Sequence, residues 1–191
     1  MAHDRAIVVD GALGASLPGG IVRRGTVTNV DGPGTAAVTM SLLAAASGLG
    51  EWVAMIELAE APSDFAGLAA LEAGVALERC AVVRRVERER WAVVVAALLE
   101  GMAMVVTPIP MHARISDARR LIARARERHA ALVVTGGNWP AETTLRIDAG
   151  SSRWHGLERG DGLLARRDLA IRVQGKGAQR HASLDLAARA G

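Results

Sequence analysis

Short apolar runs alternate with longer stretches of helical periodicity through the first two thirds of the chain. Residues 52–57, 102–107 and 132–135 are almost continuously apolar, the pattern of a strand covered on both faces rather than on one. Residues 21–29 and 79–86 are further strand-like runs. Between them the apolar positions recur three or four apart. This predicts helices over residues 36–47, closed by Gly48 and Gly50, and over 63–76, 88–100 and 116–129. After Gly136-Gly137 the rhythm changes. Residues 144–148, 152–157 and 163–174 predict strands joined by glycine-containing turns such as Arg159-Gly-Asp-Gly162, an antiparallel extension of the sheet. Alternating strands and helices give an α/β fold, a mainly parallel sheet flanked by helices with C-terminal antiparallel strands. Residues 1–174 are expected to form one domain. Residues 175–191 are small, polar and basic, and predict a flexible tail with at most a weak helix over 183–189.

Composition changes this picture little. The chain has 191 residues, enough for one α/β domain with a sizeable core, and half are hydrophobic. Tyrosine is absent and phenylalanine occurs once, so the core must be built from Ala, Val, Leu and Ile. Arginine supplies all the basic residues but Lys176, yet the net charge is only +3. That permits a local basic patch, not a strongly cationic surface. Cys80 is alone and cannot form an internal disulfide; its apolar neighbours predict a structural thiol. The N-terminus lacks a signal-peptide pattern, and the longest apolar stretch, 91–111, is interrupted by Glu100, Gly101 and two prolines. A cytoplasmic protein with no membrane span is expected.

The segment running from Asp31 through Gly32, Pro33, Gly34 and Thr35 to Thr39 bears on chemistry most directly. It follows a predicted strand and opens a predicted helix, the context of a phosphate-binding loop with the pattern G-x-x-x-x-G-K-[ST]. In such a loop, glycine N–H groups wrap the phosphates, the lysine reaches the β and γ phosphates, and the hydroxyl holds Mg²⁺. Gly32 stands at the first position and Thr39 at the last, but Ala37 replaces the second glycine and Val38 the lysine. No nucleotide cofactor is expected.

The order of segments resembles the RecA-like recombinase core. The resemblance runs through Gly11-Ala-Leu-Gly14, Leu17-Pro-Gly-Gly-Ile21, Gly32-Pro33, the helix containing Leu42-Leu-Ala-Ala-Ala46, the strand with Ile56-Glu57, and Met104-Val-Val-Thr107. It covers residues 11–173 as a pattern of elements. Among such proteins this lysine-less form is most similar to the ImuA-type accessory proteins of actinobacterial mutagenesis cassettes. The resemblance implies a DNA-damage-induced role in translesion synthesis. The partner would be an ImuB-type polymerase-like protein and, through it, an error-prone replicative-type polymerase. The chain departs from a working ATPase at three places. These are Val38 in the loop, Thr107-Pro108 where the family has a metal-binding acid, and Gly136-Gly137 where it has a polar sensor. Glu57 or Glu60 stands where the family places a water-orienting glutamate, with nothing to act on. Loss of hydrolysis is the expectation. A SulA-like cell-division inhibitor binding the tubulin-like division protein, or a residual ATPase, are the alternatives.

The remaining candidates concern binding. The loops 107–115 and 136–143, where recombinases contact DNA, are short. His112, Arg114, Asn138 and Trp139 lie in them, and Trp139 either stacks on a base or caps the sheet edge. Arg119, Arg120, Arg124 and Arg128 stud a helix whose Ile115, Ala118, Ile122 and Ala125 are expected to face the sheet. Those arginines either bind phosphates or an acidic partner, or are simply solvated. Lys176, Arg180, Leu184 and Leu186 of the tail are candidate partner anchors. The histidines at 3, 112, 129, 155 and 181 have no metal-ligand spacing, and no acid–base or nucleophilic constellation is present.

Overall fold

The computed structural model describes residues 6–60, 66–155, 166–175 and 178–187. A two-stranded ribbon, β1 (Ala6–Val8) against β2 (Ile21–Arg23), brackets helix α1 (Gly11–Ser16). The main sheet holds β3 (Val27–Asp31), β4 (Val53–Leu58), β5 (Cys80–Val86), β6 (Met104–Pro108), β7 (Ala131–Thr135), β8 (Leu145–His155), β9 (Arg166–Gly175) and β10 (Ala178–Ala187). Its spatial order is β10-β9-β8-β3-β7-β6-β4-β5. From β8 to β5 neighbouring strands are parallel, and β9 and β10 continue the sheet antiparallel. Helices α2 (Thr35–Ser47), α3 (Gly67–Glu72), α4 (Arg88–Leu98) and α5 (Ile115–Arg128) lie between the parallel strands in sequence.

The continuous apolar runs become strands because both faces of the sheet are covered. Along β4, Val53 and Met55 join one core with Leu42, Leu43 and Ala46 of α2, whereas Ala54, Ile56 and Leu58 join a second core with Trp91 and Val95 of α4 and Leu121 of α5. A strand whose alternate residues enter two different cores has no polar positions to spare. Helices α1 to α3 therefore cover one face and α4 and α5 the other.

Four expectations need correction. The single strand over residues 21–29 is two, β2 and β3. Gly25 turns the chain between them at φ 73° and its N–H reaches the Ala130 carbonyl at 2.9 Å. A turn here needs the positive φ that glycine adopts without a steric penalty. The separate strands expected at 144–148 and 152–157 are one long β8 whose register slips between Ala149 and Ser152. Gly150 in that stretch reads as a turn in the sequence but is a bulge in the structure. The flexible tail with a helix at 183–189 is replaced, over Ala178–Ala187, by β10 paired residue for residue with β9. Pairing with β9 supplies the backbone partners that the short sequence could not show. Finally, Ile115 is 48% exposed, and Leu121 takes the sheet-facing place beside Ala118 and Ala125.

Candidate functional site

Only Gly32, Pro33 and Gly34 separate β3 from α2. The helix starts at Thr35, so Ala37, Val38 and Thr39 are its third to fifth residues rather than its mouth. An anion held at a helix N-terminus needs unengaged N–H groups there. Here five of the loop and first-turn N–H groups have partners inside the chain. The Gly32 N–H donates to Asp31 Oδ1 at 2.8 Å. The Gly34 N–H donates to the Ala149 carbonyl at 3.2 Å, the Thr35 N–H to the Gly32 carbonyl at 3.1 Å, and the Ala37 and Val38 N–H groups to the Gly34 carbonyl. The Thr35 hydroxyl donates back to the Gly32 carbonyl at 2.6 Å.

The two loop glycines also lie close against neighbouring strands. A Cβ on Gly32 would lie 2.2 Å from the Ala149 oxygen, and one on Gly34 would lie 2.4 Å from Leu169 Cδ1 and 2.9 Å from the Gly150 oxygen. Both glycines are there so that β8 and β9 can approach the loop closely. Val38, at the lysine position, is fully buried in the core. Thr39, at the metal-binding hydroxyl position, is 2% exposed and spends its hydroxyl on the Thr35 and Ala36 carbonyls at 2.9 and 3.0 Å. Of the five loop residues singled out in the sequence, Gly32 and Gly34 pack against the neighbouring strands, while the hydroxyls of Thr35 and Thr39 bond within the loop and the helix.

Thr107 is equally committed. It is fully buried, and its hydroxyl accepts the indole N–H of Trp91 at 2.7 Å. Trp139 meets Trp91 edge to face, ring centroids 6.3 Å apart, and packs on the core under α4 and α5. It packs on that core rather than on either edge strand of the sheet. Glu57 is buried on β4, on the α2–α3 side of the sheet, with Oε2 3.2 Å from Arg84 Nη1 of β5. Its Oε1 has no hydrogen-bond partner among the described residues. Glu60 is exposed, beyond the end of β4.

The arginines of α5 are mostly paired. Arg124 reaches Glu100 at 3.2 Å and Glu127 at 3.0 Å, Arg128 reaches Glu100 at 2.8 Å, and Arg120 lies 3.5 Å from Asp117. Arg119 alone of the four singled out makes no ion pair with a described residue. Lys176 lies outside the described residues, and Arg180, Leu184 and Leu186 are residues of β10. They are thus strand positions, not anchors on a loose tail.

The sequence reading missed an open cleft of about 370 Å³ at the C-terminal end of β3, lined by Asp31, Gly32, Asp148, Gly150 and Arg172. Asp31 and Asp148 are register partners on adjacent parallel strands, and Arg146 bridges them, 3.1 Å from Asp148 and 3.8 Å from Asp31. Arg172 stands opposite Asp148 on β9. The cleft wall thus holds two acids and Arg172, with Arg146 paired to the acids beside it. Only alternation around the bulge at Gly150 signalled it. Among the described residues no group of three His, Cys, Asp or Glu is placed to hold a metal, and no helix is long and apolar enough to cross a membrane.

These features define a class: an open α/β sheet protein whose β3–α2 loop is clamped against its own later strands. The chain belongs to the MT3502 N-terminal domain family, whose model matches residues 15–141, about two thirds of its length. No curated protein matches the chain.

Proposed function

We propose that this protein is a non-catalytic accessory protein that acts by contact with another protein rather than by turning over a nucleotide. The observation that carries the reading is the loop between β3 and α2. Five of its N–H groups, those of Gly32, Gly34, Thr35, Ala37 and Val38, are engaged within the chain, and Gly32 and Gly34 pack against Ala149 and Leu169. The buried Val38 and the Thr107–Trp91 hydrogen bond support it, because neither the lysine nor the metal-binding acid of phosphoryl transfer has a replacement at those places. Following the resemblance in the sequence, the partner proposed is an ImuB-type polymerase-like protein in DNA-damage-induced translesion synthesis. Affinity capture of the purified chain with that partner, beside the tubulin-like division protein as the competing partner, tests the second half. A nucleotide-turnover assay tests the first. Retention of the polymerase-like protein without ATP hydrolysis is the expected result. Turnover above that of contaminant controls overturns the non-catalytic reading, and capture of the division protein alone overturns the choice of partner.

A further inference from the structure

We draw no further inference here: the strongest candidate, the open cleft at the C-terminal end of β3 between Asp31, Asp148 and Arg172, has its acid pair already held by Arg146, and no buried polar group left unpartnered among the described residues lines it to say what it would take.

Discussion

The N–H of Gly34 donates to the carbonyl of Ala149, 3.2 Å away, and this one bond ties the start of α2 to the bulged segment of β8. It links the phosphate-loop position to strands far along the sequence. It also explains why the loop has glycine at position 34.

Substitutions in the clamp should therefore cost stability, not activity. Gly34→Ala forces a methyl into Leu169 and the Gly150 carbonyl, and Gly32→Ala adds a left-handed φ of 101° to a clash with Ala149. We expect Gly34→Ala to lower unfolding stability by about 1–3 kcal/mol. Gly32→Ala should cost more, because backbone rather than a side chain must move. Denaturant titration of both variants checks the order. If Gly32→Ala is the milder of the two, the clamp is not as tight as described.

Restoring the missing lysine should not restore chemistry. Val38 is fully buried, so Val38→Lys places an ammonium in the core, where burial drives it towards the neutral form. Expected are a large loss of thermal stability and no hydrolysis in a coupled ATPase assay. A stable, hydrolysing variant contradicts both the burial and the non-catalytic reading.

Thr107→Val removes the acceptor of the Trp91 indole while keeping the shape of the side chain. A buried N–H left without a partner costs about 1–3 kcal/mol. The variant should lose that much in urea titration, with a shift in tryptophan fluorescence. No change in either would mean that the indole finds water or another acceptor.

The stretch matched by the family model ends at residue 141, before the sheet does. Leu145, Ile147, Ala149, Leu169, Ile171 and Val173 of β8 and β9 are all buried in the core under α1 and α2. Truncation after residue 141 strips that core and bares the edge of β3, so the shortened chain should aggregate or lack a cooperative melt. A truncated chain that melts cooperatively near the parent temperature would show that β8 to β10 are dispensable.

Burial pushes the Cys80 thiol up from its ordinary value. The thiolate is the nucleophile, so alkylation by iodoacetamide at mild alkaline pH should run slower in the folded protein than in denaturant. The folded state holds this proton to higher pH than the unfolded chain does. Its contribution to stability is therefore full below the ordinary thiol range and is lost as pH rises through the folded value. Equal alkylation rates in the two states would contradict the burial.

The sequence by itself determined the alternation of elements, the two-sided burial of β4, β6 and β7, and the presence of an apolar residue, Val38, where a phosphate loop would need lysine. Each of these is written in local periodicity or in a single residue type. The third residue of each candidate pair lay elsewhere. Whether Gly32 and Gly34 cradle an anion or admit a neighbouring strand depends on Ala149 and Leu169, more than a hundred residues away. Whether Thr107 is a degraded catalytic residue or a core acceptor depends on Trp91. The arginines of α5 read as a basic patch until Glu100, at the end of another helix, is seen to take two of them. The tail read as loose because its ten strand residues find their backbone partners only on β9. Hydrogen bonds and ion pairs between distant segments leave no periodicity in either segment alone, and only the packed sheet decided between the two uses of the same residues.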